Sequence, residues 1–305
     1  MMLDRRRLLL SLLALPALGE LLANDTPPNL AAVAEALAGL ERRHGGRLGV
    51  SILDSATGAA TGHRAGERFG MCSTFKVLLA AVVLQEIAAG RVLRDKFVPF
   101  TEKDLVSYSP VTSARLEAGG MNVLELAETA QQTSDNTAAN LMLGLLGGPA
   151  GFTKRLRAAG DAHTRLDRME PAMNLVPAGE VRDTTTPAAM AATVAHFVLG
   201  DGLRAADREL LLSWMRTTKT GRRRLRAGLP AEWRSGDKTG TGIAEGMANK
   251  YNDVAVSFPP GRQPLVIAVY YEASGYFESM RAEDEAVLAA IGTLVAAGCA
   301  GSPKR

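Results

Sequence analysis

Strand-like segments lie at both ends of this chain with a long helical stretch between them, and no other feature constrains the fold as tightly. "PPNLAAVAEALAGLERRHGG" (residues 27–46) reads as an amphipathic helix closed by glycine. "RLGVSILDSATGAATGHR" then reads as two β segments around a turn containing Gly58. From Ser73 to about Gly200 the spacing is helical, with a few loops. "RSGDKTGTG", "YNDVAVSFPPG" and "QPLVIAVYYEA" follow as three strands, and a last helix runs from about Ser279 to Ala297. The simplest closed arrangement is one antiparallel sheet made from both ends of the chain, flanked by the terminal helices, with an all-helical domain inserted. This predicts an α/β (α+β) fold with a discontinuous α/β domain at 24–66 and 217–305 and a helical domain at 67–216. A site is expected where the two meet.

Arg5, Arg6 and Arg7 precede an apolar run from Leu8 to Leu18. That run is short for a membrane span, so residues 1–23 read as a signal peptide, with cleavage after Gly19 or Ala23. The arginines permit twin-arginine export. The mature protein is expected to be exported, periplasmic or secreted, monomeric, and without stable membrane association. A net charge of +3 argues against nucleic acid as a partner. Two cysteines, Cys72 and Cys299, make neither a disulfide framework nor a zinc cluster. The four histidines (His44, His63, His163, His196) are scattered. No metal and no cofactor is expected.

Four polar constellations carry chemistry. Ser73-Thr-Phe-Lys76 stands at the start of the apolar run "KVLLAAVVL", where residues three apart share a helix face. A buried lysine there can serve as a base, and free N–H groups of the helix start can stabilise developing negative charge. Ser235-Gly-Asp-Lys238 has the same spacing, but on a strand, where such positions face opposite sides. Ser134-Asp135-Asn136 reads both as a helix cap and as a proton relay with a substrate-holding amide. Lys238-Thr239-Gly240 lies in the strand region, whereas Lys219-Thr-Gly221 ends a helix. A strand edge with small residues such as Gly240 and Gly242 can pair with an amide-containing ligand. Glu170, with Asn174 four residues on, could hold a water for attack. Glu245 and Asn249 repeat that spacing.

Together these four elements resemble the class A β-lactamases, serine hydrolases of penicillins and cephalosporins. The family's serine–x–x–lysine, serine–aspartate–asparagine and lysine–threonine–glycine motifs occur in family order, with a Glu-Pro-x-x-Asn element between the last two. "YSPV" at Tyr108, "GGPAGFTKRLRAAGD" at Gly147 and "RDTTTPAAMA" at Arg182 extend the likeness over the mature chain. The resemblance implies Ser73 as nucleophile and Lys76 or Glu170 as the base of acylation. It implies Ser134 as proton donor to the lactam nitrogen, and Glu170 with Asn174 as activators of the deacylating water. The N–H groups of Ser73 and Thr241 would form the oxyanion hole. Lys238, Thr239 and Thr241 would receive the substrate carboxylate, and Asn136 its side-chain amide. Tyr108 would form a wall, and Arg168 with Asp183 would close an Ω-shaped loop at about 165–183.

The family's strand arginine is missing from "NKYNDVAVSF", so Arg224 would supply the guanidinium, with Arg222, Arg223 and Arg226 solvated. One carbapenem-hydrolysing branch bonds the cysteine at the position of Cys72 to a second one. Gly242 stands at the second position here, so Cys72 is expected to be a buried free thiol. Thr241 is compatible with cephalosporin turnover. Penicillin-binding peptidases share the serines and lysine but lack a placed deacylating carboxylate, and penicillin sensors of the same architecture would be tethered to a transmembrane helix.

Overall fold

The computed structural model describes residues 30–299; the signal peptide read at residues 1–23 lies outside them. Helix α1 (Leu30–His44) stops at Gly45 and Gly46, whose φ values of 71° and 75° carry no Cβ penalty in glycine. Strands β1 (Arg47–Asp54) and β2 (Ala60–His63) form a hairpin. The remaining strands of the sheet come from the far end of the chain: β3 (Gly236–Gly242), β4 (Lys250–Ser257) and β5 (Leu265–Glu272). The order is β2-β1-β5-β4-β3, antiparallel at every pairing, with Val50 opposite Val269 across the β1–β5 seam. The sheet expected from both chain ends is the one formed, and β3 is its edge.

Alternation along the strands sends two residue sets to opposite faces. Val50, Ile52, Tyr251, Ala255, Ile267 and Val269 pack with Leu37 and Leu40 of α1 and with Leu288 and Ile291 near the C-terminus. Val254, Val256, Val266, Ala268 and Tyr270 pack into the helical layer. That layer comprises α2 (Phe75–Ala88), α3 (Val123–Thr133), α4 (Asn136–Leu145), α5 (Gly148–Ala158), α6 (Pro187–Val198) and α7 (Ala205–Arg216). The closing helix α8 (Ala282–Cys299) starts three residues later than its periodicity suggests. The Arg281 N–H is taken by the Tyr251 hydroxyl at 2.9 Å. Among the described residues, no helix is long and apolar enough to cross a membrane.

Helix α2 is the axle of the helical layer. From Val77 to Leu84 every residue is at most 1% exposed, as its all-round apolar sequence requires. Each buried Leu or Val there contributes about 1.5–3 kcal/mol, so a single Leu78→Asp would break the layer. The edge strand β3 passes the start of this helix closely. A Cβ on Gly240 would stand 2.7 Å from the Met71 carbonyl oxygen and 3.1 Å from the Ser73 nitrogen, so only glycine permits the approach.

Candidate active site

A short 3₁₀ turn, Cys72–Thr74, runs into α2 at Phe75. Residues three apart eclipse in such a turn, and Lys76 Nζ donates to Ser73 Oγ at 2.8 Å. Lys76 is wholly buried. Its Nζ also donates to the Ser134 carbonyl at 2.9 Å and to Asn136 Oδ1 at 2.5 Å, and lies 2.9 Å from Glu170 Oε1. Burial pushes the ammonium pKa below the usual lysine value, and the Glu170 carboxylate partly offsets that push. Ser73 Oγ donates to the same Glu170 oxygen at 3.3 Å.

The α3–α4 junction supplies the second hydroxyl. Ser134 ends α3 in the left-handed region, φ 63°, and Asp135 caps α4 by accepting the Ala138 N–H at 2.9 Å. Asp135 Oδ2 also accepts the Val111 and Thr112 N–H groups at 3.0 Å each, fixing the segment that carries Tyr108. The cap and the site are thus one structure. Lys238, on β3, donates to Ser134 Oγ at 3.0 Å and to the Thr239 carbonyl at 2.8 Å. Burial, and then the neighbouring Lys76, hold its ammonium well below the ordinary lysine pKa. Ser235 turns away to Ser257, 2.9 Å from its hydroxyl.

The loop at 165–183 is tied at its neck. Asp183 accepts the N–H groups of Asp167 and Arg168 at 2.7 and 3.0 Å and Arg168 Nε at 2.5 Å. Inside the loop, across a cis Glu170–Pro171 bond, Asn174 Nδ2 donates to Glu170 Oε2 at 2.5 Å. Asn174 Oδ1 is buried without a protein partner. Glu245 and Asn249 make no such pair: Glu245 is exposed, and Asn249 Nδ2 donates to the Phe277 carbonyl at 2.8 Å. Cys72, Tyr108, Ser134 and Asp183 all have left-handed φ despite their side chains, a clustering of backbone strain typical of functional sites.

These elements surround a cleft of about 600 Å³ lined by Ser73, Tyr108, Ser134, Asn136, Asn174, Arg224, Thr239, Gly240 and Thr241. Arg224 is buried with every nitrogen engaged. Nη1 donates to the Gly240 and Asn252 carbonyls at 2.8 and 2.9 Å, Nη2 to Thr241 Oγ1 at 2.7 Å, and Nε to Glu285 Oε1 at 3.3 Å.

Several residues escaped the sequence reading. Thr220, Ile243, Met280 and Glu285 also line the cleft. Thr220 belongs to the Lys219-Thr-Gly221 repeat set aside above, yet its hydroxyl lies 2.6 Å from that of Thr239. Asn140 was missed although it sits one turn beyond Asn136, a detectable signal; it bonds the backbone of Glu170. The solvated reading of Arg226 is corrected: its Nε lies 2.9 Å from buried Asp237. Arg222 and Arg223 are exposed. Cys72 is a free, buried thiol pushed up to about pKa 12 by burial, and a Cβ on Gly242 would stand 2.9 Å from its sulfur. Among the described residues, no three His, Cys, Asp or Glu side chains are grouped to hold a metal.

Comparison with known proteins agrees with this geometry. Residues 32–298 match the β-lactamase enzyme family. The β-lactamase AST-1 of Nocardia asteroides is 47% identical over 276 residues, 87% of each chain. The carbapenem-hydrolysing β-lactamase KPC of Klebsiella oxytoca is 42% identical over 298 residues, 98% of each chain. Among solved structures, the class A β-lactamase of the last common ancestor of Gram-negative bacteria superposes with a TM-score of 0.83 at 51% identity. That match covers 88% of this chain and 99% of the other.

Proposed function

The chain belongs to the class A β-lactamases and hydrolyses the β-lactam amide bond of penicillins and cephalosporins; on that premise we propose the following division of labour among its residues. The carrying observation is that Lys76 Nζ stands within hydrogen-bond reach of Ser73 Oγ, Glu170 Oε1 and the Ser134 carbonyl, while Ser73 Oγ also donates to Glu170.

The lactam carbonyl lies over Ser73 with its oxygen toward the N–H groups of Ser73 and Thr241. The first belongs to a helix-start turn and the second to an edge strand, where such donors are available. Ser73 Oγ attacks the carbonyl carbon and loses its proton to Lys76, or to Glu170, which both touch it. The C–N bond breaks; Ser134 gives its proton to the departing nitrogen and regains one through Lys76, which passes on the proton taken from Ser73. Lys238, 3.0 Å from that hydroxyl, steadies the transient oxyanion. Glu170 and Asn174 Oδ1 then hold a water; Glu170 takes its proton, the hydroxide attacks the acyl carbon, and Ser73 leaves reprotonated.

Lys238, Thr239, Thr241 and Arg224 bind the substrate carboxylate beside the reacting bond. Asn136 holds the side-chain amide, Gly240 keeps the strand edge open, and Tyr108 walls the cleft. Arg168 and Asp183 keep the Ω-shaped loop in register. The chain works as a monomer, since one chain completes the cleft. It divides into an α/β domain, 24–66 with 217–305, and a helical domain, 67–216. It is exported, to the periplasm or beyond, by residues 1–23. Hydrolysis rates of a penicillin, a cephalosporin and a carbapenem by the wild type and by Ser73→Ala test the assignment. Turnover surviving Ser73→Ala would overturn it.

A further inference from the structure

A second cavity, of about 720 Å³, lies between α5 and the neck of the loop at 165–183 and shares no lining residue with the cleft. Arg68, Lys154, Arg157 and Arg165 line it, against a single carboxylate, Asp167. That carboxylate is committed: it pairs with Arg165 at 2.5 Å and accepts the Asp183 N–H at 3.0 Å. The other three cations have no carboxylate partner among the described residues. Two of them are nonetheless held in place. Arg68 Nη1 donates to the His163 carbonyl at 2.9 Å and to Thr184 Oγ1 at 3.0 Å. Arg157 Nη1 donates to the Asp161 and Thr164 carbonyls at 2.5 and 2.6 Å. Each guanidinium thus spends one nitrogen on the backbone of the 161–164 segment, and its remaining N–H groups are not used by the protein. Lys154, one turn before Arg157 on α5, is exposed and its ammonium bonds to no group among the described residues.

Like charges held around one cavity without counter-charge repel, and the repulsion falls when an anion sits between them. Planar guanidinium forks already immobilised by backbone bonds lose little entropy on binding and match tetrahedral oxyanions. We propose that this groove is an anion-binding site, separate from the hydrolytic cleft, which takes a multivalent phosphate. Its lining ends at Asp167, which exchanges backbone and side-chain hydrogen bonds with Asp183 at the neck of the loop, so a bound phosphate would brace that neck.

Pyrophosphate, titrated at low ionic strength into the wild type and into Lys154→Glu and Lys154→Ala/Arg157→Ala, tests this by amide NMR shifts and thermal melts. Saturable shifts at residues 150–168 and a Tm rise of roughly 2–5 °C are expected. Binding should be at least about tenfold weaker in both variants and should weaken with added salt. Lys154→Glu removes no internal bond, so it tests the site even if the double variant unfolds. Vesicles of phosphatidylglycerol in phosphatidylcholine separate the sources of phosphate. Co-sedimentation lost in Lys154→Glu assigns a lipid headgroup, and pyrophosphate binding alone assigns a soluble anion. No saturation by about 10 mM, shifts confined to the cleft, or affinity unchanged in the variants would each overturn the proposal.

Discussion

Asn140 holds Glu170 by both ends of its backbone: its Nδ2 donates to the Glu170 carbonyl and its Oδ1 accepts the Glu170 N–H, each at 2.9 Å. The carboxylate proposed as general base is thus fixed from a rigid helix, α4, as well as through its own loop. Asn140→Ala removes both bonds, at a cost of about 1–3 kcal/mol in stability. Misplacing a catalytic group by about 1 Å costs on the order of 100-fold in rate. Stopped-flow kinetics should show an acylation burst that survives while steady-state turnover falls about 10- to 100-fold. Equal losses in burst and turnover would mean that Asn140 serves the fold and not Glu170.

Glu170→Ala removes the group proposed to activate water but leaves Lys76 bonded to Ser73 and to the Ser134 carbonyl. Deacylation should fall by roughly 100- to 10,000-fold, and intact-mass spectrometry should find a penicilloyl adduct persisting on Ser73. Free turnover by this variant would contradict the assignment of the water to Glu170. Absence of any adduct would assign the acylation base to Glu170 as well.

How much of this was legible in the sequence depended on the range of the interaction. Ser73 with Lys76, and Glu170 with Asn174, are local pairs, so backbone geometry carries them from sequence to structure. The sheet was readable because alternation and turn residues repeat along each strand. Thr220 and Glu285 enter the cleft only through tertiary packing of the 217–224 segment and of α8, and nothing in their neighbours announces it. Arg226 looked like one more solvated arginine because its partner, Asp237, is eleven residues away on a strand. Lys219 is exposed whereas Lys238 reaches Ser134, yet the threonine beside Lys219 still reaches Thr239.

Arg224 distributes its three nitrogens over four oxygen partners, including the hydroxyl of Thr241, and the sulfur of Met280. Arg224→Ala should raise KM more than it lowers kcat, with kcat/KM down about 10- to 100-fold, in keeping with a lost charge-assisted bond. Arg224→Lys should rescue little, because an ammonium cannot reproduce the fork. An unchanged KM in the alanine variant would remove Arg224 from substrate binding.

Gly242 and Cys72 are placed for a crosslink that this chain does not make. A Cβ at 242 would lie 2.9 Å from Cys72 Sγ, close to the distance of about 3 Å between a Cβ and the far sulfur in a disulfide. The Gly242→Cys variant should therefore oxidise, its new thiol bonding to Cys72. Thiol titration of the unfolded variant should find only Cys299 free, against two thiols in the wild type. The bridge should add about 2–4 kcal/mol of stability, reversed by reductant. Three free thiols after air oxidation would show that Cys72, buried under β3, cannot reach its new partner.

Asp237 and Asp253 lie on adjacent strands, Asp237 opposite Ala255 and Asp253 opposite Thr239, and both are fully buried. Asp253 Oδ2 accepts the Leu225 N–H at 3.1 Å and Asp237 Oδ2 accepts Arg226 Nε at 2.9 Å, while each Oδ1 has no partner. Burial raises the Asp253 pKa well above the ordinary aspartate value, and the charge of Asp237 raises it further against the pull of Arg224 and Arg226. The folded pKa thus exceeds the unfolded one, about 3.9. The stability this acid lends is complete below that pH and is lost as pH rises toward the folded value. Asp253→Asn keeps the shape and can still accept from Leu225, but it does not ionise. Melting curves from about pH 4 to 8 should show the variant gaining on the wild type as pH rises. Parallel curves would mean that Asp253 titrates in the folded protein as it does in the unfolded chain.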